Sequence, residues 1–514
     1  MNNHWLSESC AEGAKSAILL GPLEPDILKN EIEKNPVGVL WIASKFDDNL
    51  NLDQKITFFD KSLPLELFRK TLEDFIILNY DAPPNVKVSS LIANNSIKSY
   101  NEFLDLIIAE IDSTMRARRT RSETGFLRQK QIFSNLAGYL NNRLPQEWND
   151  LGKGKLAVVV GAGPSLDVTL PFLNDKIPRP IIIATDSSLS ALHKLNIDPD
   201  FVVSIDPEKS FSSCCGNEYF PGTAILSTQS HSSWSENWKE NICFLSGRVI
   251  TEDWFGEKGI SKTNTSAINN AGLTALSVAN FLNPAGILMI GMDLASAGHG
   301  QQRYAEVTGR DHIIINAAHY HEIPGNFSES VPTPFLSDWQ ETSEFCKKIS
   351  KSKLLINLND RGGKLDGTTL IHPNETEELK EALNQNISPF TTHQTSKLPP
   401  KKCLKEMGLN QLLTILTELC DQCWSKLQIV DLEDKTSIQN FLIDTFSNKD
   451  FASLFGDFAF SILPKISQGK KPSLEDLQIA FEQLRNLLWT LEDAILESKP
   501  SKEFIQRFLT ERFN

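Results

Sequence analysis

Through the middle of the chain, short apolar runs alternate with amphipathic stretches. Six runs have strand character: Leu156–Val160, Pro180–Ala184, Phe201–Ile205, Ala224–Ser227, Ile287–Ile290 and Leu354–Leu358. Helical spacing falls between them, as in Leu189–Leu195 and Ala271–Phe281. Continuous apolar runs rather than strict alternation predict strands buried on both faces, and strand–helix alternation predicts a doubly wound parallel sheet. Ligands of such sheets sit beyond the carboxyl ends of the strands. The residues just after each run therefore carry the most weight: Gly161–Ser165, Asp186, Asp206-Pro207, Thr228-Gln229 and Asp293.

The flanks read differently. Residues 1–150 mix strands (Val37–Ala43, Ile56–Phe59) with a helix over Leu65–Leu78, for which Pro64 suits the first turn. Tyr100–Tyr139 is mostly helical; Arg116, Arg118, Arg119 and Arg121 read as its solvated face. A polar, Pro-containing stretch, 385–402, reads as a linker. Beyond it, Leu474, Leu477, Phe481, Leu484, Leu488, Leu491 and Ile495 lay one apolar stripe along a helix capped by Ser473, a core or bundle seam. The expected organisation is an N-terminal α+β domain (1–150), a Rossmann-like α/β domain (151–384), the linker and a C-terminal helical domain (403–514).

Charge narrows the class of ligand. The net charge is −14 and the pI about 5.3. Steering toward nucleic acid or anionic membrane is not expected, so any anionic ligand must be captured by a local site. The first residues lack a signal-peptide pattern, and no run approaches the ~18 apolar residues of a membrane span. Eight cysteines in 514 residues, two of them adjacent at Cys214-Cys215, do not make a disulfide framework. A reducing cytoplasm fits. Cys420 and Cys423 have no second pair or histidines nearby to complete a zinc site.

The candidate chemistry follows the strand ends. Leu156–Val160 empties into Gly161-Ala-Gly163-Pro164-Ser165, where backbone N–H groups and a helix start can receive a phosphate without a lysine. Ser165 can cap that turn or donate to a phosphate oxygen. Neither a Walker A loop nor a full GxGxxG is present. Asp186 and Asp206 can accept from ribose or base, bind a hydrated metal, or cap the elements that follow them. Asn270-Ala271-Gly272 opens the next helix with small residues. Asp293 is a further acidic strand end, followed by a Gly-rich polar loop from Ala297 to Arg303 that includes His299. His312, His319 and His321 lack zinc-like spacing; one of them can serve as a general base.

Six stretches in this order resemble a known family: 159–167, 184–189, 199–207, 270–275 with 289–295, 323–333 and 357–367. They resemble the motility-associated factor (Maf) family of flagellin-modifying glycosyltransferases. They are also similar to the wider domain family that includes the MptE-type 6-hydroxymethylpterin diphosphokinase. The resemblance covers about 150–380 and implies a fold similar to sialyltransferases that use CMP-activated sugars. It implies that Gly161, Gly163, Pro164 and Ser165 face the nucleotide phosphate, with the amides of 161–165 stabilising it as it departs. Asp186 and Asp206 would lie near ribose and base, and Asn270, Ala271 and Gly272 near the cytidine or the donor carboxylate. The donor would be a CMP-activated nonulosonic acid and the acceptor flagellin. The sequence leaves room for Mg²⁺ without requiring it.

Two positions depart from the sialyltransferase pattern. Ala162 stands where those enzymes carry an Asn, and Gly325-Asn326-Phe327 lacks their histidine. The catalytic candidates are therefore His319, His321, His299 and Asp293. Two other readings stay open: a pyrophosphokinase with Mg²⁺ on Asp186, Asp206 and Asp293, and a nucleotide-binding protein without catalysis.

Overall fold

The structure, a computed structural model, describes residues 4–9, 11–44, 54–77, 82–93, 96–175, 180–216, 218, 220–238, 241–268, 270–296, 301–315, 320–386, 406–467 and 472–498. The chain forms two compact units, Met1–Thr120 and Arg121–Asn514.

The first unit is built on β1 (Trp5–Glu8), β2 (Ser16–Leu20), β3 (Gly38–Ala43), β4 (Ile56–Asp60) and β5 (Asn85–Ser89). Their order is β1-β5-β2-β3-β4, with β1 antiparallel to β5 and the other pairs parallel. Every residue of β2 and β3 is buried, as central parallel strands require. The helix Leu65–Ile77 sets Phe68, Leu72, Phe75 and Ile76 into the same core as Ile18, Leu40 and Phe59.

The second unit holds an eight-stranded, wholly parallel sheet. Its strands are β6 (Leu156–Val160), β7 (Ile181–Thr185), β8 (Phe201–Ser204), β9 (Thr223–Ser227), β10 (Ile242–Leu245), β11 (Gly286–Ile290), and, after a hairpin of β12 (His321–Pro324) and β13 (Ser330–Thr333), β14 (Leu354–Leu358) and β15 (Thr369–Ile371). The order is β10-β9-β8-β7-β6-β11-β14-β15. The chain winds outward from β6 to β10, then returns to place β11 on the other side of β6. The switch point thus lies between β6 and β11, where the crevice of such a sheet opens. All six expected central strands form, within one residue at each end. The mixed α/β, Rossmann-like architecture is as the alternation predicts.

Alternate residues of β6 feed opposite cores. Leu156, Val158 and Val160 join one cluster with Ile182, Val202 and Leu226, and Ala157 and Val159 join the other with Leu273, Leu276 and Met289. Helices after residue 406 pack into the first of these: Leu412, Leu416, Phe441, Leu477, Leu484 and Leu491 belong to it. The helix Leu474–Glu497 starts as its sequence indicates. Ser473 Oγ accepts from the Asp476 N–H while Asp476 accepts from the Ser473 N–H, a capping box. Residues 387–402 of the expected linker lie outside the described residues. Among the described residues no helix is long and apolar enough to cross a membrane.

Candidate active site at the carboxyl edge of the eight-stranded sheet

At the switch point the glycine loop is bonded to the end of β11. Gly161 N–H donates to the Ile290 carbonyl (2.8 Å), Gly163 N–H to the Gly291 carbonyl (2.9 Å), and Leu166 N–H back to the Gly163 carbonyl (2.9 Å). Ser165 donates twice to Asp293 Oδ2, from its N–H (3.1 Å) and its hydroxyl (2.9 Å). Pro164 has no N–H to give. Any Cβ at 161 would press on the Gly291 carbonyl and Met292 sulfur, and one at 163 would fall on the Asp293 carboxylate. The two glycines are therefore required by close approach to β11. The helix that follows, Leu166–Thr169, is four residues long and sums few peptide dipoles.

Asp293 is 3% exposed. Burial pushes its pKa up to about 6, against the pull of the two Ser165 donors. Its Oδ1 has no hydrogen-bond partner among the described residues. Its carbonyl accepts from the Gly363 N–H (2.8 Å), and Gly362, at φ +81°, packs directly on its backbone. Asn326 is tied to the same segment: its N–H donates to the Gly362 carbonyl (3.0 Å) and its amide to the Arg361 carbonyl (2.6 Å). The Pro-Gly-Asn loop and the Asp-Arg-Gly-Gly turn after β14 thus converge on Asp293.

The helix Ala271–Phe281 enters the same crevice. Asn270 caps it, Oδ1 accepting from the Leu273 N–H (2.6 Å), and Gly272 lies against the Met292 sulfur. These elements and β14 carry buried polar atoms with no partner among the described residues: Asn270 Nδ2, Asp293 Oδ1, both amide atoms of Asn357 in β14, and Asn359 Nδ2 just beyond it. Buried polar groups are normally satisfied, so each of these atoms is one that a water or a polar ligand would complete.

Beyond β7 and β8 the chemistry is ionic. Asp186, 1% exposed, accepts from the Ser187 N–H (2.6 Å), the Ser187 hydroxyl (2.9 Å) and the Ser204 hydroxyl (3.0 Å), and pairs with Lys209 Nζ at 3.5 Å. Burial alone would lower the Lys209 pKa; Asp186, Tyr304 and Asp206 outweigh it and hold the amine above its ordinary range. Asp206 uses Oδ1 to accept from the Glu208 N–H (2.9 Å), closing a turn. The Tyr304 ring has three cations around it: Arg310 Cζ at 5.1 Å, Arg303 Cζ at 5.4 Å and Lys209 Nζ at 5.8 Å. The segment carrying two of them is docked on the glycine loop, Ala305 N–H donating to the Ala162 carbonyl (3.0 Å). Nearby Cys214 is a poor nucleophile, its thiol pushed by burial up to about 11.

The other singled-out residues separate. Thr228 donates to buried Glu252, and Gln229 bridges Arg128 and Asp457; both serve the packing of helices over β9. His321 opens β12 opposite Thr333 and makes no side-chain hydrogen bond to a described residue. His299 and His319 lie outside the described residues. Among the described residues no three His, Cys, Asp or Glu side chains are grouped to hold a metal ion. Lys209, Tyr304 and Arg310 were not singled out from sequence. The signal available was Asp206-Pro-Glu-Lys209, a lysine three residues past a strand-end aspartate.

Residues 130–298 match the family model described as 6-hydroxymethylpterin diphosphokinase MptE-like. The matched stretch runs from the end of the helix Ile97–Ser134 through β11 and past Asp293, so it takes in the glycine loop, Asp186, Lys209, Asn270 and both sides of the switch point. Arg303, Tyr304, Arg310 and the loops at 326 and 361 lie beyond the matched residues. Among solved structures the chain is similar to that of a MAf glycosyltransferase from Magnetospirillum magneticum AMB-1, at 13% identity and a TM-score of 0.47, covering 97% of this chain and 82% of that one. No curated relative matches the sequence.

Proposed function

We propose that the protein is a glycosyltransferase that moves a nonulosonic acid of the pseudaminic, legionaminic or sialic type from its CMP-activated form to Ser or Thr hydroxyls of flagellin. It would act in the cytoplasm and serve flagellar assembly and motility. The order of the six sequence motifs supports the donor and acceptor, and the MptE-like domain supports a nucleotide-dependent transferase. The observation that carries the reading is Asp293: a buried carboxyl at the switch point, with a pKa of about 6 and one oxygen unpartnered.

Transfer by direct displacement needs three things. The acceptor hydroxyl oxygen bonds to the anomeric carbon, the bond from that carbon to the phosphate oxygen breaks with its electron pair leaving on CMP, and the hydroxyl proton goes to a base. A carboxylate with a pKa near 6 is ionised at neutral pH yet basic enough to take that proton. Ser165, donating twice to Oδ2, leaves Oδ1 to receive it. The orphaned amides of Asn270 and Asn359 supply donors for the polar parts of the donor.

The family model's own name favours a second reading, ATP-dependent pyrophosphoryl transfer to a pterin. Its magnesium would need open carboxylates, and both Asp186 oxygens already accept from Ser187 and Ser204 beside Lys209. The test incubates the full chain with flagellin and CMP-pseudaminic or CMP-N-acetylneuraminic acid, reading flagellin mass and CMP release. A mass increment of one sugar per modified site is expected. AMP release from ATP with 6-hydroxymethylpterin, without sugar transfer, would overturn the proposal in favour of the second reading.

A further inference from the structure

The glycine loop of this chain has little left to offer an anion. Gly161, Gly163, Ser165 and Leu166 all spend their N–H groups on the protein, Pro164 has none, and only Ala162 keeps its own. Next to Ala305, which docks on that loop, a chain of net charge −14 gathers three cations around one aromatic ring. Lys209 is matched by Asp186, but among the described residues neither Arg303 nor Arg310 has a carboxylate partner. Holding unmatched guanidinium groups beside a lysine costs repulsion, and an anionic ligand removes that cost.

The group is built rather than incidental. The backbone of 301–315 closes on itself, Arg303 N–H donating to the Ile313 carbonyl (3.0 Å) and Ile315 N–H to the Gln301 carbonyl (2.8 Å). It is pinned from below, where Asp167 accepts from the N–H groups of Glu306 (3.0 Å) and Val307 (2.8 Å). Arg303 is held between two rings, Tyr304 and, at 5.6 Å, Phe335. Arg310 is anchored by one nitrogen to the Ser213 carbonyl and, at 3.6 Å, to Cys214 Sγ, while its Nε is buried and unpartnered.

We propose that Lys209, Arg303 and Arg310 around Tyr304 form the anion subsite of the donor, doing the work otherwise expected of the glycine-loop amides. The bond from Ala305 N–H to the Ala162 carbonyl sets this subsite against the loop, beside the crevice that holds Asp293. Guanidinium groups offer paired donors to phosphate or carboxylate oxygens, and a CMP-activated nonulosonic acid carries both. The inference rests on reading the crevice as a nucleotide-dependent transferase site; three of its four residues, Arg303, Tyr304 and Arg310, lie beyond the MptE-like match.

The experiment measures calorimetric affinities of the full chain for cytidine, CMP, CMP-N-acetylneuraminic acid, ATP and inorganic pyrophosphate, in wild type, Arg303→Gln and Arg310→Gln. Wild type is expected to bind CMP more tightly than cytidine, with each substitution weakening CMP about tenfold and cytidine hardly at all. A loss confined to CMP-N-acetylneuraminic acid, CMP being unaffected, also upholds the subsite and assigns it to the carboxylate. If wild type takes only ATP or pyrophosphate, and the variants lose that affinity, the anion subsite stands while the CMP-donor reading falls. Variants that melt like wild type and bind every anion equally well overturn the subsite. So does a wild type that binds none of these anions.

Discussion

Asp186 and Asp293 each follow a fully buried strand of the same parallel sheet, and of the two only Asp186 forms an ion pair among the described residues. Its two oxygens collect three hydrogen bonds and the Lys209 amine, so its charge is compensated where it stands. Asp293 has two donors, both from Ser165, on one oxygen and none on the other. Strand-end position is shared; the partners are not. One aspartate becomes the counter-ion of a cationic patch, the other a carboxyl whose proton is easily gained and lost near neutral pH.

The comparison is most exposed at Asp293. Asp293→Asn keeps an oxygen to accept from Ser165 but removes the proton acceptor, so turnover should fall by about 10²–10⁴. The wild-type acid limb of kcat should sit near the carboxyl's value of about 6. Stability should respond as well. A carboxyl raised in the fold stabilises the native state below its unfolded pKa of about 4, and that contribution is lost as pH rises through about 6. Melting curves between pH 4 and 7 should show wild type losing on the order of 2 kcal/mol more than Asp293→Asn. Parallel curves for the two proteins would mean that Asp293 is not held as described.

At the other strand end, Lys209→Met leaves Asp186 buried beside three neutral donors. Denaturant unfolding should show a loss of about 3 kcal/mol, most of it recovered by adding Asp186→Asn. A single variant as stable as wild type would make Asp186 no counter-ion at all. The smallest effect concerns the loop. Gly163→Ala sets a methyl on the Asp293 carboxylate and should cost about 1–3 kcal/mol, with Asp293 losing its Ser165 bonds. A variant of unchanged stability and unchanged acid limb would show that the loop does not need its glycine for β11.

What was legible in the sequence was local. Buried parallel strands announce themselves as short, nearly continuous apolar runs, so β6, β7, β8, β9, β11 and β14 could be drawn nearly to the residue. Elements with weaker local signals were not: β10 is four residues, β15 three, and the β12–β13 hairpin is built from His-Glu-Ile-Pro and Ser-Val-Pro-Thr. The glycine loop was found by its pattern, and the structure sets it at the switch point. Which partners its amides take was not readable, because Gly291 and Asp293 lie about 130 residues away and reach the loop only through the pairing of β11 with β6.

The same reason separates the two clusters. Sequence determined that acidic residues end several strands and that a polar loop follows β11. Tertiary structure alone decided that Lys209 would meet Asp186, and that Arg303 and Arg310, about a hundred residues further on, would close around the same ring. Charge pairing is set by distance in space, and only the order in which the strands join the sheet brings those side chains within reach of one another.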